Sequence, residues 1–520
     1  MSIIQAHDLA RSETLTVIDD VVYLPAPLES DTGTSLVQEM RERGTIERVL
    51  PQALRSVMSE DVSSVLFWME HAYREHLGET NEEPPWFVDL PQPARRFLRR
   101  ESMLVGTQSD AFAMVPNFPR TQAPYVVRNG GFVAEAVRTF GVTRLSYIRQ
   151  LAFLHDPIET DETGTQVING TTYTHTRYAH VLDVMAIATL MGTNVDLSRT
   201  ELMTLRLAVI THDALTPAGG DTTKRVDPQA FDEDAHYGRL LEREWSHLRD
   251  GYAIDPDLLI ATVQGEGIHG DLLDLADKIA YISRDTEAFV RSTPPEGLIC
   301  DQSRLVDIQR LLDAHPTICD LWDAVRVRDG RVCVADGDRL TAFLTLRAHL
   351  FRSFYHHAGT RFLEFLLSSV VITYLYETGR VTVTDLLTWT DEELERTIAR
   401  EFDLPSFHLM DTAIFGTPLV ESFPTEELAR ARERELIEQE QAIVFVETFA
   451  GRCTSGTHLM VEDDHGRVRS LADVDPDASR FIEETANVKR VTVYAIREPH
   501  QSRRFAEALH HERSRARSKP

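Results

Sequence analysis

Helical periodicity in the middle of the chain is the feature that most limits the fold. From about residue 130 to residue 375, apolar residues recur every three or four positions, the spacing that gives a helix one buried face. Two polar loops, Asp156–Thr174 and Thr216–Asp234, interrupt this pattern, and loops of such length inside a compact domain are often functional. The segments with helical spacing are Val142–Leu154, Ala179–Met191, Arg199–Thr211, His236–Arg249, Leu272–Phe289, Leu340–Gly379 and Thr390–Glu401. The centre of the chain is therefore predicted to be a mainly α-helical core.

The two ends of the chain differ from this core. Residues 1–125 have a mixed pattern and contain no motif that indicates a particular chemistry. Near the other end, the β-branched runs Ala442–Thr448 and Val488–Ile496 are typical of strands. These patterns predict a mainly α fold with a small α/β C-terminal portion. The chain is predicted to have three regions: an N-terminal region at residues 1–125, the helical core at residues 126–400 and the C-terminal portion at residues 401–520. The Arg- and His-rich end, from His500, is predicted to be a solvated basic helix.

The charge balance argues against one broad class of function. The 520 residues include 54 Lys and Arg against 82 Asp and Glu, a formal net charge of −28. A field of that sign repels phosphate backbones, so nucleic acid is not expected as the main partner. A small phosphate ligand is still compatible with this charge, because a metal ion and a few Arg side chains can reverse the field inside a pocket.

Cysteine usage and hydropathy favour a cytoplasmic protein. The four cysteines lie far apart and form no CxxC pair, so neither a zinc ribbon nor a disulfide framework is indicated. The N-terminus has neither the basic start nor the long apolar run of a signal peptide. The most apolar stretch, Phe362–Tyr376, is interrupted by polar residues and too short to span a bilayer. It is predicted to be a buried core helix, and no membrane partner is expected.

Two histidines and two carboxylates form the first set of candidate functional residues. His212 and Asp213 are adjacent at the end of an apolar helix, so both can bind one ion only from a groove between helices. An isolated His-Asp pair is common by chance, but His180 lies on the preceding helix and Asp277 on a later one. Two imidazoles and two carboxylates form a mixed nitrogen and oxygen shell suited to Mn, Fe, Ni, Zn or Mg. Such an ion can polarise a phosphoryl oxygen and activate water.

Helical spacing places further polar residues beside these candidates. Arg177 shares a helix face with His180, and Asp277, Tyr281 and Asp285 follow one another at intervals of four residues. Lys278 is adjacent to this stripe of side chains. The alternative is an ordinary amphipathic helix with a polar face. A later helix repeats the interval with Arg347, Phe351 and Tyr355, where a core tyrosine beside a surface arginine is the simpler interpretation.

Four ordered segments resemble one enzyme family. The order His180, His212-Asp213, Asp277 is similar to the H…HD…D signature of HD-domain metal-dependent phosphohydrolases. The resemblance is to the deoxynucleoside triphosphate triphosphohydrolases, namely the dGTPase group and its eukaryotic relative that joins a sterile-alpha motif to an HD domain. It covers roughly residues 140 to 400. The segments that carry it are RLSYIRQL (Arg144–Leu151), THTRYAH (Thr174–His180), DKIAYISRD (Asp277–Asp285) and RAHLFRSFYHH (Arg347–His357).

The resemblance implies an HD-domain helical core, a reaction and a role for each candidate residue. The reaction would be metal-dependent hydrolysis of a deoxynucleoside triphosphate (dNTP) to the deoxynucleoside and inorganic triphosphate, in a protein that forms homo-oligomers. The implied metal ligands are His180, His212, Asp213 and Asp277. The implied triphosphate-binding residues are Arg177, Lys278 and Arg347. The implied sugar-binding residues are Gln150, Tyr281, Asp285 and Tyr355.

The candidate catalytic residues include one match to the family and one departure from it. His236 corresponds to a catalytic histidine that donates or relays a proton. The family usually has further histidines after the His-Asp pair, whereas here Thr216 and either Gly220 or Asp221 stand in their place. Glu233 and Asp234, close to His236, are the candidates that would compensate.

Two other functions are compatible with the same residues. One is a different HD-domain phosphohydrolase, for example on nucleoside monophosphates or cyclic dinucleotides. The other is a non-catalytic protein that binds a nucleotide as a regulatory subunit. The complete set of two histidines and two aspartates argues against this last function.

Overall fold

The computed structural model describes most of the chain from residue 175 onward. The described stretches are residues 175–244, 254–286, 302–404, 418–440, 443–451, 458–463, 465–496 and 503–518, with residue 456. Before residue 175 they comprise residues 139–150 and shorter pieces, so most of residues 1–125 and of the loop Asp156–Thr174 lie outside the described residues. The short strands described there are β1 Thr16–Ile18, β2 Val21–Tyr23, β3 Ala111–Met114, β4 Val126–Asn129, β5 Glu159–Thr160 and β6 Gln166–Val167.

Helices dominate the described residues, which confirms the mainly α prediction. In the first half they are α1 Arg177–Asn194, α2 Arg199–Thr211, α3 Gly220–Lys224, α4 Glu233–Glu244, α5 Pro256–Val263, α6 Gly267–Thr286 and α7 Gln302–Ala314. They continue as α8 Gly337–Leu350, α9 Ala358–Phe365, α10 Thr373–Glu377, α11 Val383–Thr388, α12 Asp391–Phe402, α13 Glu426–Glu440, α14 Leu471–Val474, α15 Pro476–Ala486 and α16 Arg503–Ser518. Helix α2 begins at a complete capping box, in which Ser198 and Glu201 satisfy each other's backbone amides.

Helix α1 is the centre of the helical core. Its sequence is apolar on nearly all sides, and it packs against α2 on one side and α6 on another. Asp183 is a buried charge on this helix, and Arg284 of α6 pairs with it through Nε at 2.6 Å from Oδ2. Because a buried carboxylate is stable only when it is paired, this contact also fixes α6 against α1. The candidate residues of both helices are thereby held at a constant separation.

Two sheets join the C-terminal portion to the core. Strands β9 Pro418–Phe423, β13 Val488–Ile496 and β10 Ile443–Gly451 form an antiparallel sheet with β13 in the middle. The strands of a second sheet are β7 Val325–Arg328, β8 Arg331–Val334, β11 Met460–Glu462 and β12 Val468–Ser470. They lie in the order β12, β11, β8, β7, and β11 runs parallel to β8. One apolar core extends through both portions, so the division at residue 400 stays a prediction.

Three predictions for particular segments are corrected by the structure. Val142–Leu154 is not a helix in its described part: a 3₁₀ turn, Val142–Tyr147, is followed by extended backbone that pairs Arg149 with Thr176. The long helix Leu340–Gly379 is interrupted near His356 and contains π-helical turns at Phe351–Tyr355 and Leu366–Ile372. The basic tail is a helix, α16, but its Phe505 and Leu509 are buried, so it is not solvated on all sides.

The apolar stretch Phe362–Tyr376 is buried in the core, as predicted. Among the described residues no single helix is long and apolar enough to cross a membrane. Two consecutive segments, Gly337–Tyr355 and Thr360–Glu377, meet the length and composition criteria only as a pair, and the chain bends by 65° between them.

Candidate metal centre and adjoining cavity

The candidate ligands come from three elements that meet at one end of the core. His180 lies in the first turn of α1, which begins after the N-cap residue Thr176. His212 is the residue that ends α2, and Asp277 lies in the middle of α6. One possible ligand atom from each of these three side chains, a ring nitrogen or a carboxylate oxygen, lies within 4.8 Å of the other two. Residues nearly a hundred positions apart in sequence therefore form one group that could hold a metal ion.

The hydrogen bond of His212 suits this role, whereas His180 pairs with the third member of the group. His212 Nδ1 lies 2.6 Å from the carbonyl oxygen of Val209 and must donate to it, so in the neutral form of the imidazole Nε2 has the lone pair that a metal ion requires. A ring nitrogen fixed in this way by a backbone carbonyl is the usual arrangement of a metal-binding histidine. His180 Nε2 lies 2.8 Å from Asp277 Oδ1. Burial alone would lower the pKa of His180, but the hydrogen bond and charge of Asp277 outweigh it and raise the pKa.

Asp213, the fourth predicted ligand, divides its oxygens between two partners. Oδ1 is 3.7 Å from His212 Nε2, while Oδ2 accepts a hydrogen bond from Arg177 at 3.3 Å. Burial opposes its negative charge, but the nearby positive groups, His212 and Arg177 foremost, reverse the effect and lower its pKa. The carboxylate is therefore charged and adjacent to the group of three, and its role as a ligand stays a prediction.

The loop after Asp213 is fixed by residues far away in sequence. Arg144 donates hydrogen bonds to the carbonyl oxygens of Ala214, at 3.3 Å, and Thr216, at 2.5 Å. The backbone amide of Gly219 donates to Asp391 Oδ1 at 2.8 Å. Gly219 has φ +79°, and a Cβ there would lie only 2.6 Å from the Thr223 hydroxyl, so this turn requires glycine. The segment RLSYIRQL thus supports the loop that carries the His-Asp pair.

Arg177 and Lys224 link this loop to charges of both signs. Arg177 donates to Asp221 Oδ2 at 2.7 Å, and Lys224 lies 3.2 Å from Asp221 Oδ1. Burial of Arg177 disfavours its charge, yet Asp221 and Asp213 more than offset this and raise its pKa. Lys224 also donates to Glu233 Oε2 at 2.9 Å. Asp221 is therefore the centre of an ion-pair network.

A cavity of about 320 Å³ adjoins Asp277, one of the three possible ligands. Asp277 is in its wall, and Tyr281 and Asp285 line it one and two helical turns further along α6. The Tyr355 hydroxyl donates to Asp285 Oδ2, and Arg347 donates through Nε to the Tyr281 hydroxyl. The full lining is Gln150, Arg177, Asp221, Thr222, Arg225, Asp277, Tyr281, Asp285, Phe351, Tyr355, His356 and Glu364. The volume is within the range of small-molecule sites.

Several predicted residues lie in or beside this cavity. Gln150, Arg177, Tyr281, Asp285 and Tyr355 line it directly. Arg347 lies behind the lining, with its guanidinium carbon 4.7 Å from the centre of the Phe351 ring.

Other predicted residues lie elsewhere. Lys278 is not among the lining residues, and its Nζ pairs with Asp274 of its own helix. His236 and Glu233 line a separate cavity of about 240 Å³, where His236 Nε2 lies 3.2 Å from the Gln229 carbonyl oxygen. Asp234 is exposed on the same turn of α4 and lines neither cavity.

Thr222, Arg225 and Glu364 are among the lining residues to which sequence reasoning gave no role. The first two lie in the polar loop Thr216–Asp234, whose length was the available signal. Glu364 interrupts the most apolar stretch of the chain, and a charge at such a position indicates a buried partner.

Comparison with known proteins gives a fold and no family. No protein-family model matches the sequence, and no curated protein matches it. Among solved structures, a phosphohydrolase from Bacteroides thetaiotaomicron has a TM-score of 0.53 and 14% identity, covering 75% of this chain and 100% of that one. A hypothetical protein from Aquifex aeolicus has a TM-score of 0.53 and 17% identity, covering 78% and 99%. This chain therefore shares its fold with both proteins.

Proposed function

We propose that this protein is a metal-dependent phosphohydrolase that converts a dNTP and water into the deoxynucleoside and inorganic triphosphate. The observation that carries the proposal is the group of His180, His212 and Asp277, of which Asp277 also lines a cavity of about 320 Å³. The fold shared with a phosphohydrolase supports the general reaction. The resemblance of the four sequence segments supports the choice of substrate.

The donor set fits a divalent ion such as Mn, Mg, Fe, Ni or Zn. His212 Nε2, one nitrogen of His180 and a carboxylate oxygen of Asp277 would hold it, with Asp213 as the proposed fourth ligand. When bound, such an ion polarises a phosphoryl oxygen and makes a water molecule more acidic. His180 Nδ1 is buried and has no hydrogen-bond partner among the described residues, so this imidazole has a free donor or acceptor.

The charges in the cavity explain why a metal ion would be needed for binding as well as for reaction. The lining includes the carboxylates of Asp221, Asp277, Asp285 and Glu364 but only two guanidinium groups, those of Arg177 and Arg225. A polyphosphate would meet a net negative surface, which repels it. A divalent ion beside Asp277 would reverse the local field, so nucleotide binding is expected to require the metal.

The rest of the cavity suits a deoxyribose and its base. Gln150 is buried, and its Oε1 has no hydrogen-bond partner among the described residues, so it can accept a bond from a sugar hydroxyl. Asp285 can accept another, in competition with Tyr355. The ring of Tyr281 lies between Asp285 and Asp277 along α6 and would pack against the sugar, which leaves little space for a 2′-hydroxyl.

Incubation of the protein with each dNTP and with Mn²⁺ or Mg²⁺, followed by chromatography of the products, tests this function. The expected products are the deoxynucleoside and inorganic triphosphate in equal amounts, and His212→Ala is the matched inactive control. Release of orthophosphate or pyrophosphate, or hydrolysis of nucleoside monophosphates alone, would contradict the proposed reaction. Nucleotide binding without any product would indicate a binding protein instead.

A further inference from the structure

Arg225 is the more accessible of the two guanidinium groups that line the cavity. Its side chain is 48% exposed, whereas that of Arg177 is 8% exposed and held between Asp213 and Asp221. Arg225 pairs through Nε with Glu364 Oε1. This contact uses one donor and leaves the two terminal amino groups, with four N–H bonds, for a ligand.

Thr222 gives a second indication that this wall binds a ligand. Its side chain is 1% exposed and lines the cavity, yet its hydroxyl has no hydrogen-bond partner among the described residues. A buried hydroxyl without a partner is costly, and a ligand oxygen at this wall would remove the cost. Thr222 and Arg225 lie within one turn of each other on and just after α3, on the same wall as Asp221. The wall thus contains a hydroxyl without a partner among the described residues and an accessible guanidinium within one helical turn of each other.

A chain of buried ion pairs holds Arg225 from behind. Glu364 Oε2 pairs with Arg361, whose Nη2 donates to Glu447 Oε1 on strand β10 at 2.6 Å. Glu447 Oε2 accepts from the Tyr494 hydroxyl on strand β13 at 2.9 Å. Arg361, Glu364 and Glu447 are all largely buried, at 6%, 5% and 12% exposure. Charges that are buried in this way are tightly constrained by their partners, so the C-terminal sheet sets the position of Glu364.

We propose that Arg225 and Thr222 bind the phosphate groups of the substrate furthest from the sugar, and that Glu447 of the C-terminal sheet positions Arg225 for this role through Arg361 and Glu364. This inference rests on the proposed function and adds to it a residue that distinguishes triphosphates from shorter phosphate chains. Arg225 is suited to the role because a guanidinium binds phosphate oxygens with two parallel hydrogen bonds.

Binding of inorganic tripolyphosphate with Mg²⁺, measured by calorimetry on the full-length protein, tests the inference without requiring catalysis. Arg225→Gln is expected to raise the Kd at least about tenfold, because it removes charge-assisted hydrogen bonds. Glu447→Gln is expected to raise the Kd about twofold to tenfold, because it acts only by displacing Arg225. In the Arg225→Gln background, Glu447→Gln should therefore have no further effect. Tyr494→Phe, which removes one bond and no charge, should show the same dependence on Arg225.

Glu421→Gln is the matched control, because Glu421 lies on β9 of the same sheet and pairs with Arg432 at 2.9 Å, away from the lining. Its Kd should equal that of the wild type.

An unchanged Kd in Arg225→Gln, additive effects in the double variant, or no tripolyphosphate binding by the wild type would each overturn the inference. A wild type that binds tripolyphosphate with these variant effects but hydrolyses no dNTP would refute only the proposed function. Conversely, dNTP hydrolysis with an unchanged Kd in Arg225→Gln would refute only the inference.

Discussion

At the scale of single residues, His212 provides the most direct test of the metal centre. Its Nδ1 is bound to Val209, so the side chain offers Nε2 to an ion and little else to the fold. We expect His212→Ala to lose bound metal and hydrolysis while its circular dichroism spectrum remains that of the wild type. Metal content is measured by mass spectrometry, and His236→Ala, which removes an imidazole from the other cavity, should keep its metal. Full metal content and activity in His212→Ala would refute the assignment.

The source of the catalytic proton is a second question at this scale. Burial, together with the charge of Asp213, raises the pKa of Glu233 against the opposing effect of Lys224. A raised pKa keeps the carboxyl protonated to higher pH, so an acid at this position would work below that pKa and fail as the pH rises through it. We expect the pH profile of kcat to fall on its alkaline side and Glu233→Gln to abolish that fall.

His236 is the alternative source of the proton, as the family resemblance implies. His236→Ala should keep the metal and slow turnover by roughly 10²–10⁴-fold, the usual effect of losing an acid or base. Wild-type turnover in His236→Ala, together with loss of the alkaline fall in Glu233→Gln, would favour Glu233. The reverse pair of results would favour His236.

At the scale of elements, α6 combines the proposed metal and sugar contacts on one stripe. Asp277, Tyr281 and Asp285 lie within about 80° of one another around the helix axis, and all three line the cavity. A 3′-hydroxyl would add a hydrogen bond to the buried carboxylate of Asp285 beside the one from Tyr355, and losing such a bond to a charged group costs about 1.5–3 kcal/mol. We therefore expect the wild type to prefer deoxynucleotides and to use 2′,3′-dideoxynucleotides poorly, as measured by kcat/KM.

The matching variant is Asp285→Ala. It should lower activity on all substrates but remove the penalty for a missing 3′-hydroxyl. Equal hydrolysis of ATP and dATP by the wild type would contradict the sugar contacts on α6. It would instead favour a broader phosphohydrolase.

Helices were predictable from local spacing, and contacts between them were only partly so. The interval of four residues identified α6, and the sequence order of His180, His212 and Asp277 identified a group that the fold does bring together. The same spacing also predicts the pair between Asp274 and Lys278, which are four residues apart on α6, but the family resemblance had assigned Lys278 to the triphosphate instead. Spacing could not predict that Val142–Leu154 departs from a helix, because there the backbone pairs with Thr176 in the next segment.

No local sequence pattern predicts the long-range ion pairs and hydrogen bonds of the site. The pair between Arg361 and Glu447 joins residues 86 positions apart, and Arg144 reaches the loop after Asp213 across about 70. Such partners depend on how the C-terminal sheet and the helices pack, which one sequence does not specify. Glu364 is the exception, because a carboxylate in the most apolar stretch of the chain is a local signal from which a buried partner can be predicted.

At the scale of the whole molecule, the proposed metal centre joins three parts of one continuous core. His180 is on α1, His212 ends α2 and Asp277 is on α6, and the apolar core runs from these helices into the C-terminal sheet. An ion that binds only the folded chain stabilises it by an amount set by its concentration and Kd, about 2.7 kcal/mol at a hundred times the Kd.

After removal of metal with a chelator, we expect added Mn²⁺ to raise the midpoint of a single thermal transition. Differential scanning calorimetry measures this rise, and His212→Ala should abolish it while Glu421→Gln, far from the three ligands, should retain it. An equal rise in His212→Ala would mean that Mn²⁺ stabilises this acidic chain through other carboxylates, and the proposed centre would be wrong.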